Sequence, residues 1–242
     1  MTDAVVEAPK PEREGQIASW LHLLIVVGVM TLGAYRGSVN ATAIAEAKTF
    51  NRAIFYVIAI AFEWAMLGIV LLGLRLHHTP LSTVLGERWK SIREVARDIG
   101  IAVAFLIVSS FVLSVTAGHP RDTAPGGIVQ AILPHGPVES ILWIGLSVSA
   151  GICEEAIFRG YLQRQFIALT GSSAVGILLS AVVFGFGHAY KGVVGALQIT
   201  VFGVLFGILA YWRRSLRPGM IAHTLTDSFA GVMAGLLKIK VS

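Results

Sequence analysis

Cysteine is nearly missing: the chain of 242 residues has one, Cys153, so no disulfide can form within it. Charge is scarce as well. Only 14% of residues are Asp, Glu, Lys or Arg, where a soluble domain carries roughly a quarter. That shortage excludes an ordinary soluble surface. The net charge of +5 follows membrane topology and gives no nucleic-acid signal. Alternation of apolar and polar residues is absent, which argues against a membrane barrel. The helical zinc-protease motif His-Glu-x-x-His is absent. No Ser or Cys nucleophile has a local motif behind it, and no internal repeat is found. No small-x-small pattern follows the first apolar stretch, which is therefore read as a helix rather than a cleavable signal.

What the chain does have is apolar residues, 55% of the total, gathered in long runs. A helix needs about 20 mainly apolar residues to cross a bilayer. Seven segments approach that length: 17–35, 53–74, 99–117, 137–158, 173–190, 192–212 and 218–237. Backbone groups in lipid need internal partners, so these segments are expected to be helices. The predicted fold is all-α, a polytopic transmembrane bundle of about seven spans. Residues 1–16 read as a disordered cytoplasmic tail, 17–117 as three helices, and 118–136 as a loop punctuated by Gly, Pro and His. Residues 137–237 read as a core of four helices. Twelve of the nineteen Lys and Arg fall on the side of the N-terminus, which predicts a cell-membrane protein with its N-terminus inside. Residues 81–97 read as an amphipathic helix on the inner surface, where Arg88, Lys90, Arg93 and Arg97 suit anionic headgroups, with a plain solvated loop as the alternative. Membrane lipids are the expected surroundings.

Ionisable groups inside a membrane are costly, so each is a functional candidate that needs a partner. Three clusters stand out in the C-terminal half. In Cys153-Glu154-Glu155-Ala156-Ile157-Phe158-Arg159, the i,i+4 spacing allows Glu155 to pair with Arg159. Glu154 is turned away by about 100° and needs another partner, which makes it the better reactive carboxylate. Cys153 reads as a buried small residue. In Phe184-Gly185-Phe186-Gly187-His188, the glycines permit close helix approach beside the imidazole. In His223-Thr224-Leu225-Thr226-Asp227, the histidine and the acid share a helix face. Glu63, midway along the second span, is a candidate cavity residue. Gly203 and Gly207 form a packing motif, within the bundle or between chains.

Together, Glu154, His188, His223 and Asp227 form a set that can hydrolyse an amide. A carboxylate takes a proton from water, a histidine orients the water or shuttles the proton, and the remaining pair steadies a developing oxyanion. The same set could ligate a divalent metal such as zinc. No cofactor is required in the glutamate-base reading.

The three motifs, Glu154-Glu155-x-x-x-Arg159, Phe184-x-x-x-His188 and His223-x-x-x-Asp227, occur in the order found in the CAAX-protease and bacteriocin-processing family, also called CPBP or Abi. The resemblance covers about residues 137–237. It implies an intramembrane endopeptidase acting on a peptide or protein substrate, in some members a prenylated one. Glu154 and His188 would activate water, with His223 and Asp227 at the oxyanion. Many relatives have Asn at the Asp227 position. Residues 1–136 match no motif. A proton-coupled transporter or channel, or a non-catalytic immunity or scaffold relative, stands as the alternative. One geometric problem is visible in advance. Simple full spans over 137–158 and 173–190 would leave Glu154 and His188 at opposite depths. A fourth helix continuing towards 168, or a broken or tilted fifth, is therefore expected.

Overall fold

The computed structural model describes residues 15–116 and 127–237. Residues 1–14 of the proposed tail over 1–16 and residues 118–126 of the proposed loop over 118–136 therefore lie outside the described residues. Among the described residues every regular element is helical. The first helix, α1 (Trp20–Glu46), starts where Ser19 accepts a hydrogen bond from the His22 N–H. It runs eleven residues beyond the expected end at 35. Asn51 caps α2 (Arg52–Leu76) in the same way, accepting from the Ile54 N–H at 3.0 Å. Two short helices, α3 (Leu81–Leu85) and α5 (Ile128–Ile132), flank α4 (Ile92–Thr116).

The expected surface helix over 81–97 is instead α3, an irregular stretch and the start of α4. The stretch is held by a side chain. Trp89 Nε1 donates to Asp98 Oδ2 at 2.8 Å, pulling the loop onto α4. A tertiary hydrogen bond thus overrides the helical periodicity of Val84, Leu85, Trp89 and Ile92.

The spine of the C-terminal half begins at Pro137, which opens α6 (Pro137–Glu154) from Gly136 at φ 87°. α6 then passes without interruption into a π-helical segment (Glu155–Leu162) and α7 (Gln163–Thr170). The result is one helix of 34 residues. The span expected to end at 158 therefore continues to Thr170. The polar residues that suggested an exit from the membrane are satisfied inside the protein. Gln163 Nε2 donates to the Gly207 carbonyl at 3.1 Å. Gln165 takes the Ile17 N–H at 3.0 Å and donates to the Ala18 carbonyl.

The next helix, α8 (Ser173–Gly187), has 15 residues and is shorter than the expected 173–190. It stops at His188, and a 3-10 turn (Ala189–Lys191) leads into α9 (Gly192–Arg213), followed by α10 (Arg217–Leu237). Small residues set the contacts. A Cβ on Gly203 would lie 3.1 Å from the Ala181 Cα, and one on Gly207 2.9 Å from the Ile177 side chain. The Gly203/Gly207 motif therefore packs α9 on α8 within the bundle. Gly151 of α6 similarly admits Thr224 of α10.

Among the described residues five helices are long and apolar enough to cross a membrane: 20–46, 52–76, 92–115, 137–170 and 189–213. Half of the spine's most apolar window is buried, against 17% for α1 and α4. The outer helices turn apolar side chains outward, as with Phe111 at 69% exposed. Such a surface suits lipid and would aggregate in water.

Candidate active site

The spine brings the charged motif to the centre of the bundle. All eight residues of the π-helical segment are buried, Glu155 completely. Arg159 Nη1 donates to Glu155 Oε1 at 2.9 Å, the i,i+4 pair that the spacing allows. Arg159 also reaches the Gly203 carbonyl at 3.4 Å. Its guanidinium lies over the Phe184 ring, 4.4 Å from the centroid, with Phe206 at 5.2 Å. Aromatic faces can hold a desolvated cation where water cannot reach. Phe184 thus serves as the floor under the ion pair, and its ring edge meets Phe158 at 4.8 Å and His188 at 4.9 Å.

His223 is the hub. Its Nδ1 hydrogen-bonds Glu155 Oε1 at 3.0 Å. Since the carboxylate accepts, Nδ1 carries the proton. Its Nε2 lies 3.5 Å from both Glu154 Oε2 and Asp227 Oδ2. One imidazole therefore touches three carboxylates from two helices. α10 is fixed there by Trp143 of α6, whose Nε1 donates to the Asp227 carbonyl at 2.7 Å. Sequence reasoning missed Trp143, because nothing local to it signals a partner on α10.

His188 occupies a different wall. Its Nδ1 donates to the Phe184 carbonyl at 3.0 Å, which leaves Nε2 as an acceptor. It lines a cavity of about 390 Å³ together with Glu154, Glu63 and Tyr190. The rest of the cavity wall is mainly apolar, with Met30, Phe62 and Phe158 among its residues. Glu154 and His188 line the same cavity, while the histidine in ion-pair distance of Glu154 is His223. The depth problem is resolved from both sides: the spine is longer than a simple span, and α8 ends at His188. Glu63 Oε2 is buried with no hydrogen-bond partner among the described residues. Tyr190 was not singled out from sequence; its place two residues after His188 is the only local signal.

The metal alternative can be tested on the donors. His223 and His188 each commit Nδ1 to a hydrogen bond, with Glu155 and with a carbonyl, and each keeps Nε2 as its one remaining ring nitrogen. Among the described residues no group of three or more His, Cys, Asp or Glu is disposed to hold a metal ion. No step is derived through a metal. Cys153 is a buried free thiol.

No curated protein and no solved structure matches the chain. Residues 136–229 match a family model described as Rce1-like, type II CAAX prenyl endopeptidase. The matched stretch holds all three motifs and every side chain of the His223 hub. Over this core, the chain matches the CPBP, or CAAX-protease, family of membrane proteases.

Proposed function

We propose that the chain is an intramembrane endopeptidase in which Glu154 activates water to hydrolyse a peptide bond. The observation that carries this reading is the surplus of acid at the hub. Arg159 engages Glu155, and Glu154 remains with one side on the cavity, 20% exposed. A carboxylate so placed can accept the proton of a water molecule as its oxygen attacks the carbonyl carbon. His188, with Nε2 free to accept, orients that water. His223, steered by Glu155 and Asp227, donates to the oxyanion. When the C–N bond breaks, the proton held by Glu154 passes to the leaving nitrogen. Asp227, 3.5 Å from His223 Nε2, suits this role by fixing the orientation of the imidazole.

The mainly apolar cavity suits a substrate chain with apolar side chains or a lipid group, in keeping with the prenyl substrate in the family's name. We further propose a cell-membrane location with the N-terminus inside, residues 1–16 as a cytoplasmic tail and 17–117 as a lipid-facing jacket. Residues 118–136 would act as a connector and 137–237 as the catalytic core. The test is cleavage of a farnesylated C-terminal peptide by purified protein, read by mass spectrometry. Glu154→Gln should slow cleavage by about 10³-fold. Undiminished cleavage by that variant sinks the proposal.

A further inference from the structure

A second cavity, of about 420 Å³, lies where α7, α9 and the turn into α10 meet, on the far side of Arg159 from the catalytic hub. Its charged lining is Arg159, Arg164 and Arg214, with Gln163 beside them and no Asp or Glu. Arg159 is committed to Glu155. Arg164 and Arg214 have no carboxylate within ion-pair distance among the described residues. Asp98, buried beside the neighbouring arginines of α9 and α10, is already taken by Arg97, Arg213 and Arg217.

The turn that presents Arg214 is fixed. Arg214 is held at φ 49°, and Gly86, itself at φ 81°, packs against its carbonyl and against Ser215. Tyr211 and Trp212, 53% and 67% exposed, end the apolar helix α9 beside the cavity, where aromatic residues sit at headgroup level. Two free guanidiniums in a polar recess at the end of a membrane helix match the oxygens of a phosphate.

We propose that this cavity binds the phosphate of an anionic membrane lipid. Arg164 and Arg214 take the phosphate oxygens, and the acyl chains lie along the apolar outer faces. The proposal is independent of the proteolytic reading and needs no activity assay.

The experiment uses the full-length protein in phosphatidylcholine nanodiscs doped with phosphatidylglycerol, with retained lipid read by native mass spectrometry. Phosphatidylglycerol should be enriched on the wild-type protein. Arg164→Gln with Arg214→Gln should weaken it about 25-fold, roughly fivefold per arginine. Arg88→Gln with Arg93→Gln removes the same charge outside the cavity and should weaken it far less. Equal losses from the two double variants would mean diffuse surface charge and overturn the proposal, as would unchanged retention in the first. Saturable binding of inorganic phosphate in undoped nanodiscs, lost with Arg164→Gln and Arg214→Gln, supports the phosphate chemistry and assigns a soluble source.

Discussion

Two buried charge clusters in this molecule have opposite balances. Around Asp98, one acid meets three arginines, with Arg213 at 3.3 Å, Arg217 at 3.4 Å and Arg97 at 3.7 Å, and a hydrogen bond from Trp89. Around His223, three acids meet one arginine and one imidazole. In the first cluster every carboxylate oxygen has a cation or donor, so the acid fastens α4 to α9 and α10. In the second the cations run out before the acids do, and Glu154 is left facing a cavity. A balanced or over-neutralised cluster holds helices together, while an acid-rich one keeps a proton acceptor available. The same chemical parts give a rivet in one place and a reactive site in the other.

Removing one acid from each cluster separates the two roles. Glu154→Gln should cost about 10³-fold in turnover and leave the melting temperature close to wild type. Asp98→Asn should do the reverse. It strands partly buried arginines and should lower stability by about 3 kcal/mol, read by thermal unfolding in detergent, with turnover per folded molecule retained. If Asp98→Asn removed activity without destabilising the fold, the contrast between the clusters would collapse. A smaller effect is expected at Asp227. Its replacement by Ala should cost about 100-fold in turnover by releasing His223, whereas Asn, which keeps a hydrogen-bond acceptor, should retain most activity. Equal losses for Ala and Asn would show that the charge, not the orientation of His223, is what matters. The mildest change concerns Glu63, which lines the same cavity as Glu154 but is outside the ion pairs of the hub, and has one buried oxygen without a hydrogen-bond partner among the described residues. Glu63→Gln should alter KM by a few-fold and leave kcat near wild type; a collapse of kcat would move Glu63 into the chemistry.

Much of this was readable from sequence, where the information was local. Glu155 with Arg159 and His223 with Asp227 are one helical turn apart, so periodicity placed each pair on a face. The seven apolar segments announced the helices. What stayed hidden depended on partners far away in the chain. The depth of Glu154 called for a spine running past residue 158, but not for what satisfies it there: Gln163 and Gln165 find their hydrogen bonds on Gly207, Ile17 and Ala18. The Trp89–Asp98 bond made a loop where periodicity predicted a helix. His22 gave no signal inside the first apolar run, although it bridges the Tyr161 hydroxyl at 2.7 Å and the Ile69 carbonyl at 2.9 Å. His223 bonded to Glu155, not just to its own neighbour Asp227, is likewise a tertiary fact.

The π-helical stretch over Glu155–Leu162 sets a rule for how this chain can change in length. A π turn spans one residue more than an α turn, so the spine holds a residue its ladder does not need. Deleting Ala156 or Ile157 would remove that surplus residue, so the segment would close to α with the helix beyond it kept in register, Tyr161 at His22 and Gln165 at the chain entering α1. The same deletion in the regular helix of α6, which has no surplus residue to give up, would turn everything beyond it by about 100° and shift it by about 1.5 Å. The spine can therefore lose a residue over Glu155–Leu162, a loss that it could not absorb a turn earlier.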